Sequence, residues 1–520
     1  MKIPLTTAVL FAAHIACAQG MGLDPTFNFD GVATMSFGMY HQGGSDLCLQ
    51  PDGKIVMVGR CGTNSLHDLA MLRFNPNGNL DTSFDGDGKV SMPYGIWTEA
   101  FTTVALQPDG KIVAAGYYQT GADIDYLVAR FHANGAPDTT FGVAGFATAA
   151  LGAEDDIITS MVIQPDGKIL VAGWSQSQND AESDFSLARF DSTGVLDPTF
   201  SGDGKLVSNF WFRNTLTDML LIPDGRIVVT GYNEYGVLTR DLLTARYMPD
   251  GTLDNSFGNG GSVVTDVSPD DEEAAAIALQ PDGKILVAGW DRHYSVGRML
   301  LVRYDTTGAL DASFDGDGID TLAIGTLGAW AIDVLVKSDS SIVVLGGTST
   351  AGGSQEELVL VRHTPDGALD TTYNGTGIYT AALPGVSSFV LGNMEMQPDG
   401  KIVTGGVMES SIPNLFLAVR LNGSPNTAVV GPQERSVRLS VFPDPFESAA
   451  TVEFELATSE QVSLHLYDAE GRLVRTILST QQRSAGPHQE TLDMSGVAPG
   501  SYTLLLTSGN ARSSVALVKR

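Results

Sequence analysis

Residues 107–116 read QPDGKIVAAG, a Pro-Asp-Gly turn running straight into a β-branched and small apolar stretch. Proline presets the first turn position, and Asp and Gly tolerate the conformations that follow, so the string marks a hairpin. It recurs along the chain. The proline slot falls at Pro51, Pro108, Pro165, Pro223, Pro281, Ser338 and Pro398, with spacings of 57, 57, 58, 58, 57 and 60. Two further markers keep step: an arginine ending an apolar run (Arg73, Arg130, Arg189, Arg246, Arg303, Arg362, Arg420) and an aromatic closing an LDxxF-type connector (Phe27, Phe84, Phe141, Phe200, Phe257, Phe314, Tyr373). Three independent markers each count seven, so the chain holds seven units.

Each unit reads as four strands. The third strands, IVMVG, IVAAG, ILVAG, IVVTG, ILVAG, IVVLG and IVTGG, are apolar at consecutive positions, which requires burial on both faces. Four-stranded antiparallel sheets covered on both sides and repeated at constant length describe a β-propeller; an open β-solenoid is the alternative. The ends decide between them. The last unit stops at Asn422 and Gly423, where the others continue into a connector, and that missing piece, Gly22 to Phe27, stands near the start. Two fragments that complete one unit predict a closed seven-bladed ring, because closure removes exposed edges.

The QPDGKIxxxG hairpin followed by LxRFxxxGxLDxxF resembles the bacterial delta-60 repeat over roughly residues 22–423. Unit six departs at its SDSS turn and unit seven ends early. The resemblance implies a propeller in an exported protein more than it implies an activity.

After a polar linker at 424–436 the period stops, and residues 437–520 hold seven short strand candidates that fit a small Ig-like β-sandwich. The strings PDPF (443–446), YDAEGRLV (467–474), VAPGSY (497–502) and the terminal LVKR resemble the C-terminal sorting domain of type IX secretion substrates, with Asp444 where Asn is usual. This resemblance implies the type IX secretion machinery as a partner and a destination in the medium or on the outer cell surface. In that family the domain is often removed and the cargo anchored.

At the other end, Met1 and Lys2, an apolar stretch from Ile3 to Ile15 and the Ala16-Cys17-Ala18 pattern predict a signal peptide over residues 1–18, cleaved after Ala18. His14 stands where a lipobox wants an aliphatic residue, which argues against a lipoprotein signal at Cys17. No later window approaches the length of a membrane helix. Cys48 and Cys61 flank one hairpin. With the turn centred on Asp52 and Gly53, Cys48 faces position 57, about 13 Å from Cys61 along the strand, so both thiols are expected free.

Charge narrows the function. The 520 residues carry 60 Asp+Glu against 30 Lys+Arg, a formal charge of −30, and the imbalance lies in residues 19–436 (51 against 22), not in 437–520 (9 against 7). So acidic a surface repels phosphate, which excludes nucleic acid and anionic membranes as partners.

The turns and connectors share one uniform face, and the divergent loops share the other, where repeat proteins place specificity. All five tryptophans map to the varied face. Trp97, Trp211 and Trp330 fall in loops between strands, while Trp174 and Trp290 directly follow third strands, in register with Tyr117 and Tyr232. Tyr117, Trp174, Tyr232 and Trp290 therefore form an aromatic arc on adjacent blades, with Asp180, Glu182 and Asp184 beside it, suited to sugar stacking or a protein anchor. The competing role for these rings is to seal blade edges.

Connectors reading FDGDG place Asp81, Asp85 and Asp87, and again Asp311, Asp315 and Asp317, where oxygen ligands could hold calcium; Asp and Gly also serve simply as turn formers. No cofactor is otherwise required. The repeated arginines, eight residues before the connector aspartates, read as structural Arg–Asp pairs. No metal-spaced histidines, G-x-S-x-G elbow or phosphate loop appears, and the acid pairs Asp155–Asp156 and Asp270–Asp271 read as solvated surface. The sequence thus predicts an exported, non-enzymatic scaffold that binds a glycan or protein. A carbohydrate-active enzyme at the propeller face and a purely structural surface component are the alternatives.

Overall fold

A computed structural model describes residues 22–423 and 439–519, apart from 64–65, 96, 122, 177–182, 236–238, 294–295, 350–354, 410–412, 443–447, 457–458, 469–472 and 509–510. The expected signal peptide with Ala18, the 424–436 linker, the PDPF string, Asp180 and Glu182 lie outside these residues. Every described element is a strand. None of the described residues forms a helix long and apolar enough to cross a membrane. The chain divides into two compact units, Met1–Pro425 and Asn426–Arg520.

In the first unit the strands form seven antiparallel sheets. Their innermost strands are His41–Leu49, Glu99–Leu106, Asp156–Ile163, Arg213–Leu221, Glu272–Leu279, Ala329–Val336 and Phe389–Met396, here blades 1 to 7. Each touches the next, and that of blade 7 meets that of blade 1, so the sheets close into a ring. The sheets are offset from the sequence units: Lys89–Met92, which opens a unit, is the outer strand of the preceding blade. Ring closure follows the same offset. Blade 7 takes its outer strand from the start of the chain, with Val32–Met35 and Gly22–Leu23 both paired to Leu415–Asn422.

The core lies between blades. Along the strand Ile55–Gly62, Ile55 and Met57 pack against Val403 and Phe416 of blade 7, while Val56 and Val58 pack against Phe101 and Ile112 of blade 2. This is the two-sided burial that the consecutive apolar runs demand.

Two local devices shape the inner wall. Every innermost strand breaks register midway, for instance between Phe101 and Thr103 and between Leu216 and Asp218, and such a bulge adds a residue and sharpens the twist. Opposite each bulge stands the glycine that ends the apolar run. A Cβ on Gly116 would lie 2.0 Å from the Ala100 carbonyl oxygen, and one on Gly173 1.9 Å from that of Ile157. Only glycine permits that approach.

Cys48 and Cys61 are buried and free. Cys48 faces Val56, not position 57, because residues 50–54 make a five-residue loop. In the second unit, strands Leu439–Phe442, Ala449–Leu456 and Gly486–Asp493 form one sheet, and Glu460–Asp468, Leu473–Arg483, Gly500–Ser508 and Ala511–Lys519 the other. Both contribute to one core that includes Val452, Phe454, Leu464 and Leu504.

Candidate functional site at the channel mouth

The residue directly after each run-ending glycine stands nine positions beyond the turn proline. Around the ring this position is Arg60, Tyr117, Trp174, Tyr232, Trp290, Gly347 and Val407. Each pairs with an innermost strand: Arg60 with Gly43, Tyr117 with Ala100, Trp174 with Ile157, Tyr232 with Thr215, Trp290 with Glu273 and Gly347 with Trp330. The four arc residues are half-buried. Blade 6 reaches the same result by another route, because Trp330 lies over Gly347, where a Cβ would sit 2.5 Å from the indole. Aromatic side chains therefore occupy this level on five adjacent blades.

Two recesses flank the central channel. One, of about 560 Å³, is lined by Glu273, Trp290, Arg292 and Trp330 with Thr217 and Ile332. The other, of about 450 Å³, is lined by His41, Arg60, Tyr117, Glu409 and Asn414 with Ser45 and Thr102. Thr217, Ala275 and Ile332 are shared between the first recess and the channel cavity, and Ser45, Thr102, Leu391 and Gly392 between the second and the channel cavity. In the first recess the Arg292 guanidinium lies 5.4 Å from the Trp290 ring and pairs with Asp271 at 3.3 Å. Arg240 covers the Tyr232 ring at 5.1 Å and forms an ion pair with Glu273. These contacts fix the aromatic planes beside a carboxylate.

The channel cavity, about 630 Å³, is lined by Asp46, Asp218, Asp333 and Glu395. The three aspartates follow the bulges, five residues before the turn slot, at the position of Thr103, Ser160, Ala276 and Asn393. They clamp neighbouring blades. Asp46 accepts the Val104 amide (2.8 Å), Asp218 accepts the Ile277 amide (2.9 Å) and the Ser160 hydroxyl (2.9 Å), and Asp333 accepts the Met394 amide (2.6 Å). Asn393 joins blade 7 to blade 1 by exchanging hydrogen bonds with the Leu47 backbone.

Burial outweighs these hydrogen bonds and pushes Asp46 up to about 7 and Asp218 to about 6. Asp333 rises well above the carboxylate range through burial, with the Asp218 and Asp46 charges adding to it, and burial also raises Glu395. Carboxyl groups that keep a proton near neutral pH can donate it. The sequence reading missed them. Their one signal is a polar residue five positions before the turn slot in six of the seven units, blade 5 having Ala276 there.

The remaining expectations are placed as follows. All seven repeated arginines pair with connector aspartates, Nε to Oδ2 at 2.7–2.9 Å, the last being Arg420 with Asp24 across the ring closure. Asp81 and Asp311 are thus held by Arg73 and Arg303, and also by Lys54 (3.5 Å) and Lys284 (2.9 Å). Asp85 and Asp315 take positive φ of 48° and 45°, and Asp87 and Asp317 each accept the amide two residues on. These are the contacts of turn formers.

Trp97 and Trp211 are exposed, and Asp184 is buried. Among the supposed surface acid pairs, Asp156 is fully buried: it accepts the Leu151 and Gly152 amides and so anchors a loop of the varied face. Glu99 does the same for Tyr94 and Gly95. Among the described residues, a group of three carboxylates whose oxygens gather within 4.8 Å of one another is Asp241 and Asp266 of blade 4 with Glu272 at the start of the innermost strand of blade 5.

Solved structures with a similar course of chain include a polysaccharide lyase (10% identity, 73% of this chain and 90% of that one, TM-score 0.43). Others are an α-L-arabinofuranosidase of Fusarium graminearum (8%, 64% and 97%, TM-score 0.40) and an endo-arabinase of Bacteroides thetaiotaomicron (7%, 50% and 92%, TM-score 0.28). These likenesses concern architecture. The three proteins named are enzymes, so the expectation of a non-enzymatic chain finds no support in them. No curated protein matches the sequence.

Six of the seven units match one family, at residues 50–84, 107–141, 164–200, 222–257, 280–314 and 337–373, and residues 440–520 match a secretion-system C-terminal sorting domain. A sorting domain of this kind is carried by proteins that are secreted or displayed on the cell surface, and it engages the secretion machinery. With its ring of repeats and this tail, the chain carries six DUF5122 β-propeller repeats and a type IX C-terminal sorting domain that marks it as secreted or displayed on the cell surface.

Proposed function

We propose that this exported propeller is a carbohydrate-active enzyme whose glycan substrate lies across the channel mouth. One observation carries the reading: two recesses edged by the aromatic arc share walls with a cavity whose carboxyl groups hold protons near neutral pH. Sugar rings present flat C–H faces that stack on indole and phenol rings, and Tyr117, Trp174, Tyr232, Trp290 and Trp330 offer such surfaces around the mouth. Cleaving a glycosidic bond takes a group that gives a proton to the leaving oxygen and another that takes one or attacks. In this reading the channel aspartates, with Asp218 foremost, supply the acid. Glu273, paired with Arg240, supplies the carboxylate of the recess.

The test is product release from a panel of neutral and acidic polysaccharides, read both as new reducing ends and as ultraviolet-absorbing unsaturated ends, so that hydrolysis and elimination are both seen. Asp218→Asn and Glu273→Gln are expected to lower kcat at least a hundredfold in a chain that still folds. Trp290→Ala is expected chiefly to raise KM. Glycan retention without product from any substrate, or full turnover in both carboxyl variants, would overturn the proposal.

A further inference from the structure

Five of the seven positions around the mouth are covered by an aromatic ring; blade 1 instead presents Arg60. Arg60 is exposed and lines the recess beside His41, Tyr117 and Asn414. Among the described residues no carboxylate lies within the 4.0 Å of an ion pair to it. That is unlike Arg292 of the opposite recess, which pairs with Asp271, and Arg240, which pairs with that recess's Glu273. The contrast is sharp in a chain with twice as many acidic as basic residues.

His41 shares the recess and meets His67 edge-on, with ring centroids 6.1 Å apart. Both nitrogens of His67 are buried without a hydrogen-bond partner. Burial, then the charges of Arg60 and His41, push His67 down, while Asp68 acts the other way. Glu409 is the acidic residue of the recess lining. An unpaired guanidinium, an imidazole and the Asn414 side chain converge on one cavity, and a guanidinium is the side chain whose planar fork matches carboxylate or sulfate oxygens.

We propose that this recess is an anion-reading subsite of the glycan groove, in which Arg60, assisted by His41, holds the carboxylate or sulfate ester of an acidic sugar residue. The inference rests on the glycan reading above and names its substrate class: a chain whose uncharged ring faces stack along the aromatic arc while a charged substituent is read at blade 1. Arg60 acts here by binding, away from the channel carboxyls.

Calorimetric titration of the full chain tests this with three probes of equal length: an oligogalacturonate, its carboxyl-reduced neutral counterpart and a sulfated galacto-oligosaccharide. At least one acidic probe is expected to bind tenfold or more tightly than the neutral one, and its identity separates carboxylate from sulfate. Arg60→Ala should remove that margin, Arg60→Lys should restore part of it, and Trp290→Ala should weaken acidic and neutral probes alike. Equal binding of acidic and neutral probes, a margin that survives Arg60→Ala, or no binding of either acidic probe overturns the inference. Cleavage of glycans without acidic preference defeats this inference alone; acidic preference without product from any glycan defeats the enzymatic reading alone.

Discussion

Arg130 shows what one repeated residue does. Its Nε meets Asp138 at 2.8 Å, a terminal nitrogen donates to the Ser192 carbonyl of the next blade at 2.6 Å, and the guanidinium lies 4.7 Å from the Phe141 ring centroid. Burial alone would raise Asp138, but the Thr140 hydrogen bonds and the arginine outweigh it and hold the group far below the carboxylate range. Removing the cation leaves a buried carboxylate faced by Lys111, 3.4 Å away, and the half-exposed His132 ring at 3.9 Å. Arg130→Ala is therefore expected to cost about 3–5 kcal/mol, seen as a lower denaturant midpoint at unchanged slope. Pairing it with Asp138→Ala should recover part of that loss, because the orphaned charge is then gone. This pair was legible in the sequence: seven arginines in register, six of them eight residues before a connector aspartate, point to a scaffold need, and a single ligand site would not require seven.

At the scale of the strand, the bulge decides what reaches the channel. Adding a residue flips the faces of everything beyond it, so Asp46, Asp218 and Asp333 enter the inner wall although plain alternation gives no reason to single them out. That is why the aromatic arc, whose register follows directly from the turn proline, could be read from residues alone while the channel carboxyls could not. Arg60 was hidden for a different reason. It holds the arc position in blade 1, but a search for aromatic rings passes over a cation. The bulge also explains the glycine in every IVxxG string. Gly116→Ala drives a methyl group into the Ala100 carbonyl and is expected to destabilise the propeller by about 3 kcal/mol, measured by thermal or denaturant unfolding. The same change at exposed Gly86, where a Cβ meets nothing within 4 Å, costs only what its φ of 90° demands.

Over the whole ring, two sets of carboxyl groups give opposite pH dependences. In the connectors, burial raises Asp81, but Ser83 and Arg73 overcome this and bring it down to about 2, so its contribution is present above the ordinary aspartate range and lost as pH falls toward 2. In the channel, Asp46 and Asp218 are raised to about 7 and 6, so their contribution is complete below about pH 4 and lost as pH climbs through 6 to 7. Stability is thus expected to peak near pH 4 to 5 and to fall by a few kcal/mol toward pH 8, since each tenfold gain in a carboxylate's proton affinity on folding is worth about 1.4 kcal/mol. Denaturant titrations across this range check it. Asp46→Asn should flatten the alkaline limb and leave the acid limb unchanged.

The seventh blade borrows its outer strand from the opposite end of the chain, with Val32–Met35 lying along Leu415–Asn422 and Asp24 joined to Arg420. A molecule that loses those first residues keeps six complete sheets and one bare edge, whose amides and carbonyls seek a partner strand. The segment that fits is present on every intact neighbour. Trimming at this end would thus turn a self-contained ring into a receptor for another copy's first strand, and the outcome would be strand exchange between molecules, with polymerisation as its limit.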